Sequence, residues 1–383
     1  MRILQIVKTN RGATWAFNQA KWLHENGVEI ITVLSEDAGG YADKYIAAGM
    51  QVVKGDWSLP LSRPWKFFAR VKQIRHTVAQ IKPDLIHLHF VTNVLMTRLA
   101  LHKDKTPRLF QVPGPLHLES PFFNFAECLV ATKADHWAGA CKMTCDIYKN
   151  KGIAEERVSL AYYGGPLAQQ AQEPAPAGPI LRPEYGIGQE EKLIAMVSYF
   201  YKPKRYIGQT RGLKGHEDFI DAMELVFKKH PQARAIIIGN AWDGAEAYEK
   251  SVIAYGKEKL GDRVIFTGYR NDVKDIYPEI DIAVHPSHSE NLGGAAESLA
   301  YGVPTIATNI GGFPDIVVDG QTGLLTPVKD PEALAQRICY MLEHPDETRE
   351  MTDRGQALVR QLLEIANTAG TIKGIYEKIL KEG

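Results

Sequence analysis

Short apolar runs alternate with longer amphipathic stretches from one end of the chain to the other, a pattern that predicts βαβ units wound around parallel sheets. In the first half the strand candidates are residues 3–7, 29–34, 84–88, 108–112 and 158–161. The amphipathic stretch 15–26 between the first two ends at Gly27, as a helix with a glycine C-terminal signal does. Residues 172–188 interrupt the alternation with four prolines and three glycines, the chemistry of a linker. Strand candidates then resume at 193–197, 235–238, 264–267, 282–284 and 305–307. A long helical stretch from 331 to about 366 and a last helical pattern at 371–380 close the chain. The expected organisation is a domain over 1–171, a linker over 172–188, a second domain over 189–366, and a terminal helix over 367–383 that crosses back to the first domain. No internal repeat is visible. Two doubly wound α/β domains place ligands at the carboxyl ends of strands and in the cleft between the domains.

Composition narrows this picture by exclusion. The 383 residues carry 45 Lys+Arg against 45 Asp+Glu, so any basic surface is local and bulk nucleic-acid binding is not expected. The first residues enter an apolar strand at once, without the pattern of a secretory signal, and no run approaches the roughly 18 apolar residues of a membrane span. Cytoplasmic residence is the expectation. Cys128, Cys141, Cys145 and Cys339 are too few for a disulfide scaffold, and Cys141-x3-Cys145 lacks the second ligand pair of a zinc site, so buried thiols are expected and no metal site is assigned.

The chemistry concentrates between His285 and Asp330. There an apolar strand gives way to a helix running to about Tyr301, with Glu290, Asn291, Leu292, Gly293 and Gly294 in the turn and Glu297 inside the helix. Unpaired N–H groups at a helix start, the positive end of its dipole and glycines that admit close approach form an anion cradle. Carboxylates on either side are poor phosphate ligands and good acceptors for sugar hydroxyls. The combination asks for a sugar nucleotide.

A second signal follows the second domain's first strand. Lys202, Lys204, Arg205, Arg211 and Lys214 fall between that strand and a helix starting near His216. Two such cations, at roughly 1.5–3 kcal/mol per charge-assisted hydrogen bond, carry much of the affinity for a diphosphate; the alternative is a solvated basic loop. In the first domain, Gly12 lies in the loop Thr9–Thr14 after the first strand, either a close-approach point for a ligand or an ordinary turn. Neither G-x-G-x-x-G nor G-x-x-x-x-G-K-[ST] opens a helix after a strand, which disfavours a dinucleotide oxidoreductase. Of His87 and His89 at the end of one strand, one is expected to pack and one to line the cleft; His117, after a Pro-Gly-Pro turn, is the better substrate-contacting candidate or a structural ring. Tyr269 and Arg270 either border a nucleobase or are plain surface. Residues 60–82 hold six Lys/Arg and no acid, with Trp65, Phe68, Val71, Ile74, Val78 and Ile81 at helical spacing. Such a helix either packs its stripe on a sheet or lies on an anionic membrane face.

These residues form a linked series: Lys214-Gly215, Ile236 to Gly239, Phe266 to Gly268, Asp281 to Ser287, Glu290 to Glu297, Ala300 to Pro304 and Gly311 to Asp315. In this series the second half resembles the donor domain of retaining glycosyltransferases of family 4. The first half resembles the acceptor domain through its opening strand and Gly12 loop, Asp84 to His89, and Tyr163 to Gly165. The resemblance implies the GT-B fold, two facing Rossmann-like doubly wound domains with a cleft between them. It implies that Glu297 holds the nucleotide ribose, that Glu290 contacts the donor sugar, that the backbone of Asn291, Leu292, Gly293 and Gly294 meets sugar and diphosphate, and that Lys214 binds the diphosphate. His117 matches the histidine beside the reacting sugar. Two features depart from the family. Its E-x7-E spacing is here shortened to six intervening residues, and Ser198-Tyr-Phe-Tyr replaces the usual basic turn, so that Lys204 is assigned as the partner cation of Lys214.

The expected function is transfer of a sugar, with retention and without a metal or other cofactor, from a nucleotide-sugar donor to a glycan, lipid-linked or small-molecule hydroxyl acceptor. Peripheral membrane contact would run through 60–82. A sugar-phosphate synthase or nucleotide-sugar epimerase of the same fold, and a non-catalytic glycan-binding protein, are the alternatives.

Overall fold

The structure, a computed structural model, describes residues 1–114, 117, 118, 120–165, 178–203 and 208–382. The chain divides into two compact units, Met1–Pro166 with Leu362–Gly383, and Leu167–Gln361.

In the first unit seven strands are described: β1 (Arg2–Ile6), β2 (Glu29–Leu34), β3 (Gln51–Lys54), β4 (Leu85–Leu88), β5 (Arg108–Val112), β6 (Asp135–Gly139) and β7 (Val158–Leu160). Their order is β3-β2-β1-β4-β5-β6-β7, every pairing parallel. Winding reverses between β1 and β4, where Ile3 stands beside Leu85. Both faces are covered, and side chains alternate between them: Ile3 and Val7 join one core, Leu4 and Ile6 the other. The helix Ile365–Glu382 packs on the first of these cores. Its buried Ile372, Ile375, Tyr376 and Ile379 recur at helical spacing, and the Tyr376 hydroxyl meets His87 Nδ1 at 2.6 Å.

The second unit repeats the plan with β8 (Lys192–Val197), β9 (Ala233–Ile238), β10 (Val264–Gly268), β11 (Ile282–His285), β12 (Thr305–Thr308) and β13 (Leu324–Thr326). The order is β10-β9-β8-β11-β12-β13, again parallel, with the reversal between β8 and β11.

Several expectations change. The second part of the stretch read as linker is folded: Leu181–Tyr185 is helical, and Leu181 and Ile187 are buried in a core of the second unit. Glu279 caps it, its carboxylate accepting from the amides of Ile180, Leu181 and Arg182. His87 and His89 are both buried; His89 lies between Gln5 Nε2 and the Tyr163 hydroxyl, each at 3.1 Å. In residues 60–82 the helix proper is Phe67–Ile81 after a short 3-10 turn, and only part of the stripe packs: Ile74 and Val78 are buried, whereas Trp65 is 72% and Phe68 80% exposed.

A buried ion network also holds the first unit together. Arg98, Glu127, Arg108 and Asp135 are all inaccessible. Asp135 accepts from Arg98 Nε and Arg108 Nε at 2.9 Å each, and Glu127 pairs with Arg98 and accepts from Trp137 Nε1 at 2.8 Å. The two guanidinium groups hold the Asp135 carboxyl below its ordinary range against the opposing effect of burial. The four cysteines are free thiols, with Cys128 half-buried and the others buried.

Candidate functional site

In the second unit the site assembles around the reversal between β8 and β11, at the carboxyl ends of the strands, where open doubly wound sheets bind ligands. Tyr201, Lys214 and Gly215 lie between β8 and the helix His216–Lys229. Glu290 and Asn291 lie between β11 and the helix Gly293–Ala300. Both helices therefore start here, with their unsatisfied N–H groups.

Lys214 and Glu290 form an ion pair across this reversal, their side chains 18% and 16% exposed. Glu290 also accepts from the Asn291 amide at 3.1 Å. Lys214 Nζ stands 5.6 Å from the centre of the Tyr201 ring. Two buried histidines lie close enough to feel its charge. Burial first and Lys214 second depress His216 and His285 to about 3, so both are neutral at physiological pH. His216 is stacked on Phe200 at 4.0 Å, and His285 Nε2 is 3.0 Å from Ser298 Oγ.

Glycines shape the turn. Gly293 has φ +43, and a Cβ there would lie 2.8 Å from the Glu290 carboxyl carbon. Gly311 (φ +61) presses on the same turn: its Cβ would fall 1.7 Å from the Glu290 carbonyl oxygen. Beside it the Gly312 amide donates to Asn291 O at 3.2 Å. The shortened turn is thus fixed from two sides, by Lys214 at the Glu290 side chain and by Gly311 and Gly312 at its backbone. Asn291 Oδ1 is buried with no hydrogen-bond partner among the described residues.

Glu297, on the helix Gly293–Ala300, is exposed by area, yet enough protein surrounds its carboxylate for desolvation to raise its pKa. The Tyr277 hydroxyl, donating to Glu297 Oε2 at 3.2 Å, opposes that rise. Tyr277 is itself buried and stacked on Tyr301 at 4.9 Å. With one phenol donating to a single oxygen, the Glu297 carboxylate has acceptor capacity left for ligand hydroxyls.

Not every expected residue joins this group. Arg211 is engaged elsewhere: it pairs with Asp218 and with Asp221, the latter at 2.7 Å, and so braces the helix His216–Lys229 instead of facing an anion. His288 pairs with the same Asp218. Lys204 and Arg205 lie outside the described residues. Lys202 is exposed. Tyr269 is 64% exposed after β10, and Arg270 is held by Glu184 and Asp272. In the first unit Gly12 is exposed, with φ +74 and open space where a Cβ would stand. His117 is half-buried, 3.2 Å from the Tyr148 hydroxyl and stacked obliquely near Phe110; burial lowers it to about 4. Sequence reasoning missed Tyr277 as the partner of Glu297, and the brace of Arg211, Asp218 and His288. It also assigned no role to Gly311 and Gly312, although a glycine pair just after a strand is the signal for such a close approach.

Two doubly wound parallel sheets, one with a cation–carboxylate pair and two helix starts at its switch point, define an α/β protein of two Rossmann-like units. Residues 182–358 match the family described as glycosyl transferases group 1, and residues 12–167 match glycosyltransferase family 4. The chain belongs to the family-4 type of glycosyltransferases. Its two Rossmann-like units are those of the GT-B fold, as in Anabaena HepE, solved in complex with UDP: TM-score 0.79, 19% identity, 98% of this chain and all of that one covered. Among curated relatives, the putative glycosyltransferase EpsD of Bacillus subtilis is 24% identical over 381 residues, spanning 93% of this chain and 91% of EpsD. The lipopolysaccharide core mannosyltransferase LpsB of Rhizobium meliloti is 28% identical over 178 residues, 45% of this chain and about half (51%) of LpsB.

Proposed function

We propose that the protein transfers a sugar from a nucleotide-sugar donor to a hydroxyl acceptor, with retention of anomeric configuration and without a bound metal. The observation that carries this reading is the Lys214–Glu290 pair at the β8/β11 reversal, set between two helix starts and one turn of helix from Glu297. On this reading the donor diphosphate takes Lys214 from Glu290 and receives the helix N–H groups. Glu297 accepts from the ribose hydroxyls, and the freed Glu290 turns to the donor sugar. Stabilisation of the departing diphosphate by fixed positive groups is then the main catalytic contribution. Lys214 supplies charge that a metal supplies elsewhere, and transfer persists when divalent cations are chelated. No described helix is long and apolar enough to cross a membrane. Contact with a membrane surface, where a lipid-linked acceptor would reside, runs through the exposed Trp65 and Phe68 of the first unit.

The test is incubation with UDP-, GDP- and ADP-sugars and a mixture of hydroxyl acceptors, with product mass and the anomeric proton followed by NMR. UDP-sugars come first, since HepE was crystallised with UDP. A product heavier than its acceptor by one sugar residue, with the donor's anomeric configuration, is expected. Inverted product refutes retention. An altered free sugar, or a sugar phosphate as the sole product, refutes transfer to a hydroxyl of a glycan or lipid.

A further inference from the structure

The first unit has a surface hollow of about 440 Å³ whose lining includes Lys8, Asp56, Ser58, Arg63, Lys66 and Arg70. It sits at the carboxyl edge of that unit's sheet: Lys8 follows β1, Asp56 follows β3, and Thr92, also in the lining, follows β4. Lys8 and Thr92 thus flank the β1/β4 reversal, the counterpart of the place where the second unit holds its site.

The charges in the hollow are unequal. Asp56, its one acid, is matched by Arg70, and both engage Ser58: the Ser58 amide donates to Asp56 at 3.1 Å, and Arg70 donates to the Ser58 carbonyl. This closed group shapes the turn. Lys8, Arg63 and Lys66 are exposed, and among the described residues their side chains have neither an ion pair nor a hydrogen-bond partner. The helical segment that begins at Pro64 brings no acid in its first turn and no side-chain cap, so its dipole adds to the positive field. Thr92 Oγ1 is likewise without a partner. Around Arg63 and Lys66 in sequence stand Leu61, Trp65 and Phe68, 59%, 72% and 80% exposed. Three free cations suit a group of charge near −2, a phosphate ester or diphosphate, better than a single carboxylate. Leu61, in the lining, and Trp65 and Phe68, outside the lining on the helical segment that carries Lys66, offer exposed apolar surface for a hydrocarbon attached to that group.

We infer that this hollow binds the phosphate or diphosphate group of an amphiphilic acceptor whose apolar chain lies on Leu61, Trp65 and Phe68. The inference rests on the transferase reading above, since it assigns the acceptor's anionic handle to the first unit.

The full-length protein carrying Lys214→Ala, which removes the candidate diphosphate cation of the second unit, is titrated calorimetrically with inorganic pyrophosphate and with geranyl diphosphate. The titrations are repeated after adding Lys8→Gln, Arg63→Gln and Lys66→Gln, all at exposed positions. Both probes are expected to bind the Lys214→Ala protein, and the three changes to weaken both by about tenfold or more, less so at high salt. Trp65→Ser with Phe68→Ser is expected to weaken geranyl diphosphate alone. Absence of binding before the three changes, or binding indifferent to them, overturns the site. Equal affinity for the two probes overturns the hydrocarbon part and leaves a soluble phosphate ester as the source of the anion. Nucleotide binding by a protein with the three changes and Lys214 intact reports separately on the donor reading, and is expected to equal that of the wild type.

Discussion

Lys214 and Glu290 can be separated by experiment because their removal is expected to act in opposite directions on nucleotide binding. Both side chains are largely buried, and each is the other's charge partner. Truncating either strands a poorly solvated charge, at about 1–3 kcal/mol of stability given the remaining solvent access. The double variant Lys214→Ala/Glu290→Ala should lose less than the sum, leaving a coupling of about 1–2 kcal/mol in a denaturation cycle. For binding, Lys214→Ala removes a charge-assisted hydrogen bond to the diphosphate worth roughly 1.5–3 kcal/mol, or about 10- to 150-fold in Kd. Glu290→Ala removes the competitor for Nζ, so nucleoside diphosphate affinity should hold or improve while sugar transfer falls. Calorimetric titration with whichever of UDP, GDP and ADP binds the wild type gives the answer. If both single variants weaken the nucleotide alike, Glu290 does not compete for Lys214, and the exchange of partners proposed here is wrong.

Other expectations follow from the same geometry. Gly311→Ala places a Cβ 1.7 Å from the Glu290 carbonyl in a backbone with φ +61, so the 290–291 turn must shift by more than an ångström; thermal unfolding should show a loss of about 1–3 kcal/mol together with loss of nucleotide binding. Because the folded-state pKa of Glu297 is raised, its ionised form costs stability above that pKa, and Glu297→Gln should raise Tm at neutral pH while abolishing the ribose contact. Nucleotide affinity should fall as pH drops through a titration lying above the ordinary carboxylate range, a dependence that Glu297→Gln flattens. His87, His216 and His285 are held at about 3 against 6.5 when unfolded, so the unfolded state takes up more protons and stability should decline as pH falls from about 6.5 toward 3. Glu127→Ala leaves Arg98 short of a partner in a fully buried network and should cost about 3–5 kcal/mol in chemical denaturation, without a direct effect on nucleotide affinity.

The central strands were legible from their apolar runs, since strands buried on both faces read as near-continuous Val, Ile and Leu. Three escaped. Gln51–Lys54 and Leu324–Thr326 are short edge strands, and Asp135–Gly139 hides its burial behind an aspartate whose charge is met by Arg98 and Arg108. No local pattern announces such a long-range pairing. In the site, the helix start and both glutamates were visible because turn glycines and helix periodicity are local signals. The occupation of Arg211 by Asp218 and Asp221 was not, because a charge cluster in sequence says nothing of which cations are already paired. The exposure of Trp65 and Phe68 was hidden for a related reason: helical spacing extends the stripe past the residues that the sheet covers.

The most direct test of the account is donor turnover by the wild type, Lys214→Ala and Glu297→Ala, followed as release of nucleoside diphosphate from the nucleotide-sugar that the wild type uses. Both variants are predicted to remain folded by circular dichroism and to release diphosphate at about a tenth of the wild-type rate or less. Wild-type rates in both, with the fold intact, would contradict the assignment of the donor site to the β8/β11 reversal.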